Sequence, residues 1–117
     1  MITIIRIKYK IKSAKRPRLG KSGKFYSPSH KEITSLAWDF AGQSKFVKYD
    51  KPVKVIIQLA KSLTAKNSDL DNLAKTIIDA IVQAKIIKDD NIQYIKHLTI
   101  EVVNSDTTII TITDNFD

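Results

Sequence analysis

Residues 53–84 read VKVIIQLAKSLTAKNSDLDNLAKTIIDAIVQA, and the spacing of their apolar side chains changes partway along. Over residues 53–60 the spacing is two. Val53, Val55, Ile57 and Leu59 share one face just after Pro52, which predicts a strand. Residues 61–68 are polar turn material. From Asp69 to Ala84 the spacing becomes helical, and Leu70, Leu73, Ala74, Ile77, Ile81 and Ala84 form an apolar stripe. A strand therefore feeds an amphipathic helix.

Upstream, Ser29-His30-Lys31-Glu32 fits a capping box, and Ile33, Leu36, Ala37, Phe40 and Ala41 follow at helical spacing. This predicts a helix over residues 29–41 with Gly42 as its stop, His30 as an exposed first-turn residue, and Trp38 off the main stripe. Residues 2–12 alternate, with Ile5, Ile7, Tyr9 and Ile11 on one side and Arg6, Lys8, Lys10 and Lys12 on the other, which predicts a first strand. Its basic side is either a solvated face or part of a phosphate-facing surface. Downstream of a turn at residues 88–91, residues 92–103 and 107–113 are β-branched and apolar, and Asn104-Ser105-Asp106 between them suggests a terminal hairpin. The expected fold is a single α/β (α+β) domain over residues 1–117. Two helices pack on a mixed sheet in the order β-α-β-α-β-β.

Composition narrows the function classes. A chain of 117 residues and 13.3 kDa forms one domain, and 43% hydrophobic with 27% charged residues fits neither a disordered nor a fibrous protein. The absence of Cys excludes disulfide frameworks, thiolate zinc sites and cysteine nucleophiles, and two histidines, His30 and His97, argue against a polyhistidine metal site. No apolar run approaches the roughly 18 residues of a membrane span, and the basic start lacks the apolar stretch of a signal peptide. A soluble, cytoplasmic protein without membrane contact is expected.

The net charge of +8 is unevenly distributed. Sixteen of the 20 basic residues lie in residues 1–66 with three acids, whereas residues 67–117 hold nine acids and four lysines. A basic half favours a polyanion, and an acidic half in the same small domain is a candidate carboxylate site. The longest loop candidate, residues 13–28, carries Lys15, Arg16, Arg18, Lys21 and Lys24, with Phe25 and Tyr26 available either to stack on a base or to anchor the loop.

The acids concentrate in Asp69-Leu70-Asp71-Asn72-Leu73-Ala74-Lys75, then Asp79 and Asp89-Asp90. Asp69 and Asp71 fall where a helix N-terminus favours negative charge, and Asp71, Lys75 and Asp79 lie four residues apart along one side of the helix. A lysine thus stands among carboxylates on a rigid element. Each part also has a plain explanation, as N-cap, helix ion pairs and turn formers. As a set they suit hard divalent-ion binding and metal-assisted phosphodiester hydrolysis.

The string Asp69-x-Asp71-Asn72-x-x-Lys75-x-x-x-Asp79-Ala80 followed by Asp89-Asp90 resembles the signature of the RusA family of Holliday junction resolvases. Lys15-Arg16-Pro17-Arg18 and Gly23-Lys24-Phe25-Tyr26-Ser27-Pro28 resemble that family's N-terminal region. The resemblance implies a homodimeric, Mg²⁺-dependent endonuclease, with Mn²⁺ as a substitute ion and no small-molecule cofactor, that nicks two strands of a four-way DNA junction symmetrically. It would act in the cytoplasm of a bacterial or phage-infected cell. Carried over by position, Asp69, Asp71 and Asp90 are the metal-binding carboxylates and Lys75 the catalytic cation. Asp90 is taken over Asp89 because its spacing from Asp71 matches the family pattern, and Asp89 is the fallback. Asp79 would orient Lys75, Asn72 would fix the first turn, and Lys15, Arg16, Arg18, Lys21 and Lys24 would hold DNA phosphates. Competing readings are a non-catalytic nucleic-acid-binding module, a metal-dependent nuclease acting on other DNA forms, and a small oligomerisation protein using its sheet edge and Trp38.

Overall fold

A computed structural model describes residues 1–12, 18–19, 25–26 and 30–116. The chain order is β1 (Ile2–Ile7), β2 (Arg18–Leu19), β3 (Phe25–Tyr26), α1 (His30–Gln43), β4 (Val53–Ala60), a short 3-10 turn (Lys61–Leu63), α2 (Leu70–Gln83), β5 (Ile95–Val103) and β6 (Thr108–Thr113). β2 and β3 form a small antiparallel pair of their own. The remaining strands make one mixed sheet in the order β1-β6-β4-β5, with β4 and β5 parallel and the other neighbours antiparallel. The expected mixed sheet with two helices is therefore present, in a single domain.

The strands follow their alternation. β1 buries Thr3, Ile5 and Ile7, and β4 buries Val53, Val55, Ile57 and Leu59. Ile5 pairs with Ile110, Ile110 with Ile57, and Ile57 with Ile100, so one row of isoleucines crosses all four strands. Phe40 and Leu36 of α1 and Leu73, Ile77 and Ile81 of α2 belong to the same core. Each fully buried side chain of this kind contributes about 1.5–3 kcal/mol.

Four local expectations are corrected. First, the anticipated strand over residues 2–12 stops at Ile7 because its partner does: Ile7 faces Thr108, the first residue of β6. Ile11 still reaches the core, while Tyr9 is 46% exposed and donates from Oη to Asp39 Oδ2 at 2.7 Å. Second, β5 and β6 do not form a hairpin, since β4 lies between them. The physical reason is that α2 carries the chain across to place β5 parallel to β4 on the outside, leaving the position between β1 and β4 for the more buried β6. The linker at residues 104–107 can reach roughly 15 Å, enough to pass a strand spacing of about 10 Å. Third, Leu70, expected on the buried stripe of α2, is 40% exposed.

Gly42 is not a stop either, because α1 runs through it to Gln43. Both long helices end in a Schellman cap. At α1, Phe46 N–H donates to Ala41 O (2.9 Å) and Lys45 N–H to Gly42 O (3.2 Å); at α2, Ile86 N–H donates to Ile81 O (3.2 Å) and Lys85 N–H to Val82 O (2.9 Å). Such a cap needs left-handed backbone at the position usually held by glycine. Here lysines hold it, Lys45 at φ 56° and Lys85 at φ 64°, and Phe46 beside Lys45 is also left-handed at φ 59°.

The two sheet edges differ. On β1, the Gln43 side chain takes both main-chain groups of Arg6: Arg6 N–H donates to Oε1 (2.8 Å) and Nε2 donates to Arg6 O (2.7 Å). Gln43 Nε2 also reaches Asp39 Oδ1 at 3.1 Å. Among the described residues, β5 pairs only with β4, and no strand covers its outer edge. Among the described residues, no helix is long and apolar enough to cross a membrane.

Candidate active site

The acidic stretch occupies the start of α2 because the polar turn ends there and the apolar stripe begins. Asp69 is the N-cap residue, with extended backbone (φ −83°, ψ 125°), and Leu73 N–H donates to its carbonyl at 3.1 Å. Its carboxylate makes no cap hydrogen bond but accepts from Asn72 Nδ2 at 3.2 Å. Asn72 thus ties the first turn to Asp69. Thr76 Oγ1 donates to Asn72 O at 3.0 Å one turn later.

Between α2 and β5 runs an open groove of about 690 Å³. Asp71, Lys75 and Asp79 line it from α2, Asp90 from the turn that follows, and Lys96, His97 and Leu98 from β5. Its floor is apolar and includes Ala74, Ile78 and Ile100. The parallel pairing of β5 with β4 puts β5 beside α2 and so builds this groove. Asp69 is not among the lining residues, and neither is Asp89. Asp89 is occupied by its own turn: Oδ1 accepts from Asp90 N–H at 2.8 Å and Oδ2 from Asn91 Nδ2 at 3.4 Å.

The charges in the groove act on one another. Burial holds the Asp79 carboxyl above its ordinary value of 3.8, Lys75 opposes that rise, and the charge of Asp90 adds to it. Among the described residues the one ion pair joins the Met1 amino group to Asp114 at 2.8 Å, so Lys75 is not paired with Asp71 or Asp79 in the manner of an ordinary surface helix.

Among the described residues, no group of three or more carboxylate and imidazole side chains is gathered tightly enough to hold a metal ion. The groove does present oxygen donors from two elements, Asp71 on α2 and Asp90 on the turn. Mg²⁺ characteristically takes one or two carboxylates and completes its shell with water and substrate phosphates, so this donor set fits a hard divalent ion.

Of the expected DNA-binding residues, Lys15, Arg16, Lys21 and Lys24 lie outside the described residues, as does Ser29 of the capping box. Arg18 is in β2, opposite Tyr26 of β3. Sequence reasoning missed the β5 contribution. His97 Nε2 is 2.9 Å from Thr99 Oγ1 and the ring is exposed at the groove, but nothing in its local pattern marks it, because its place depends on β5 lying beside α2.

Carboxylates beside a lysine, in an open groove of a chain with net charge +8, suit chemistry on the phosphate esters of a polyanion. Residues 8–113, nearly the whole chain, match the family model described as endodeoxyribonuclease RusA, and the chain belongs to that family. Membership implies nuclease activity of the kind that acts on DNA junctions. No curated protein matches the chain at a significant level.

Proposed function

We propose that this protein is a Mg²⁺-dependent, structure-selective endodeoxyribonuclease that resolves four-way DNA junctions by paired symmetric nicks in recombination and repair. The observation that carries the reading is the meeting of Asp71, Lys75, Asp79 and Asp90 in one groove of a family endonuclease. Asp71 and Asp90 would hold the ion, and Asp69, at the N-cap outside the groove, would join them as third carboxylate only by turning toward it. Mg²⁺, when bound there, supplies Lewis acidity for water attack and neutralises phosphoryl charge.

The chain's own groups do the rest. The Lys75 ammonium, one helical turn from Asp71, stabilises charge on the phosphoryl or leaving oxygen. Asp79, one turn further, attracts Lys75 by charge without a direct ion pair, and Asn72 holds Asp69. The apolar floor of Ile78 and Ile100 limits water beneath the scissile phosphate. A homodimer would present two equivalent grooves to two equivalent strands, which suits symmetric nicking.

The test compares a mobile four-way junction with a linear duplex of the same sequence, in Mg²⁺ and in EDTA, for the parent protein and Asp71→Asn. Paired nicks are expected on the junction alone, with metal alone, and cut about 100-fold or more in rate by the substitution while junction binding persists. Equal cleavage by Asp71→Asn would refute the carboxylate site. Salt-sensitive binding without nicking under any condition would leave a DNA-binding module.

A further inference from the structure

Away from the carboxylates, the C-terminal ends of α1 and α2 come together on one face. Trp38 is 72% exposed and Phe46 67% exposed, and both line a groove of about 270 Å³ with Gln83 and Lys85. Lys85 also lines a second groove, of about 660 Å³, with Lys48, Lys88, Asp50, Tyr94 and Tyr49. The two grooves are one surface joined at Lys85. Lys48, Lys85 and Lys88 are exposed there, Lys45 is exposed next to Phe46 in the chain, and Asp50 is the one acid that lines either groove.

Two large aromatic side chains left in solvent among lysines are not explained by the core. The backbone points the same way. The left-handed non-glycine residues among those described are Lys45, Phe46 and Lys85; Phe46 and Lys85 line this surface and Lys45 adjoins it in the chain. Two of them are the cap positions where glycine would relieve strain, and a bulky residue such as Phe46 adopts this conformation rarely. Strain of this kind persists where a side chain is needed for something other than stability.

The surface continues the catalytic groove. Along α2, Asp71, Lys75 and Asp79 lead to Val82 at steps of three or four residues, a path of about 17 Å on one side of the helix, and Val82 shares the larger groove with Lys85 just past the helix end. Asp90 at the end of the carboxylate groove is two residues from Lys88.

We propose that this surface is a second DNA contact, which binds unpaired nucleotides by stacking bases on Trp38 and Phe46 and holding phosphates with Lys45, Lys48, Lys85 and Lys88. Aromatic faces between cations are the chemistry that recognises single strands without sequence preference, because every base has a π-face. A hydrophobic partner protein would be poorly served by four lysines around the aromatic pair. The inference rests on the reading of the chain as a DNA-cutting enzyme. It places the strand that leaves the carboxylates along α2 toward the helix ends.

Trp38 is the sole tryptophan of the chain, so its emission reports this surface directly. The experiment titrates the full-length protein in EDTA with a twelve-nucleotide oligothymidylate and with a four-way junction, following both tryptophan emission and the anisotropy of labelled DNA. Binding is expected to quench Trp38 emission. Trp38→Ala should weaken oligothymidylate binding roughly 5- to 150-fold, the range for loss of one stacking partner, and Trp38→Phe should restore most of it. The pair Lys45→Gly and Lys85→Gly should raise the melting temperature, by relieving the caps, yet weaken binding and lower the salt slope by about 0.7 per lysine.

Saturation with unchanged emission, or no oligothymidylate binding at low salt, would overturn the proposal. So would a Trp38→Ala variant that binds DNA like the parent but sediments at a different mass, which would make the patch an interface between proteins. These readouts need no cleavage. Failure of nicking by the parent in Mg²⁺ would count against the nuclease reading and leave the titration interpretable.

Discussion

Tyr49 offers the sharpest test of how the connection after α1 is held to the sheet. It is 5% exposed, and its hydroxyl donates to Ile112 O of β6 at 3.1 Å and shares a 2.7 Å hydrogen bond with Thr3 Oγ1 of β1. Its main-chain N–H donates to Ile86 O at 2.8 Å, joining the segment to the end of α2. Tyr49→Phe keeps the ring and its apolar contacts and removes two buried hydrogen bonds. At about 0.5–1.5 kcal/mol each, the expected loss is about 2 kcal/mol. A chain of 117 residues has an unfolding entropy near 0.25 kcal/mol/K, so the melting temperature should fall by about 8 °C at neutral pH.

The same residue makes a pH prediction. Burial raises the Tyr49 phenol above its ordinary value of 10; the Thr3 hydrogen bond partly opposes this and Asp114 adds to it. The folded chain therefore keeps this proton at pH values where the unfolded chain releases it. Stability is full below about pH 10 and declines as pH rises beyond it. Tyr9, raised by burial and by its hydrogen bond to Asp39, acts in the same direction. Thermal melts by circular dichroism from pH 7 to 11 should show a lower starting point and a shallower alkaline decline for Tyr49→Phe. A melting temperature within about 2 °C of the parent, or an unchanged alkaline slope, would refute this account of the hydroxyl.

Two further substitutions test other parts of the fold. Gly42→Ala should stabilise the protein by about 0.4–1 kcal/mol, because Gly42 is helical and a Cβ there meets nothing within 4 Å; a denaturant midpoint at or below the parent's would contradict its place inside α1. Asp79→Asn should raise neutral-pH stability by under about 1 kcal/mol, a modest figure because solvent screens this part-exposed group. With the carboxyl raised in the folded state, the parent loses stability as pH climbs through the interval above 3.8, so the advantage of the variant should vanish in acid; a gap independent of pH would refute the assignment.

What was legible in the sequence was whatever local periodicity controls. β4 begins and ends where the period of two does, and α2 follows the helical stripe to within a residue at each end. The apolar alternation of β1 likewise placed Ile5 and Ile7 in the core, and Ile11 followed them there without being in the strand. Pairing was not legible, because Asn104-Ser105-Asp106 punctuates a strand-skipping link as well as a hairpin. The site suffered from that same gap. Asp71, Lys75 and Asp79 share one helix side by arithmetic alone, whereas Lys96, His97 and Leu98 join them only through a parallel partner some 40 residues earlier in the chain. The end of α1 was misplaced for a different reason. Glycine is the usual cap, and here Lys45 takes that position at a cost in backbone strain that no composition rule anticipates.

The unequal edges of the sheet bear on how copies of this molecule can meet. A strand approaching β1 at Arg6 must first displace the Gln43 amide, while among the described residues no strand pairs with the outer edge of β5. Joining through β5 would pair like margins around a two-fold axis, and each such union would use up both. A glutamine side chain standing in for a neighbouring strand at Arg6 disfavours continued growth at the opposite margin, and so favours a self-terminating pair over an open-ended fibre.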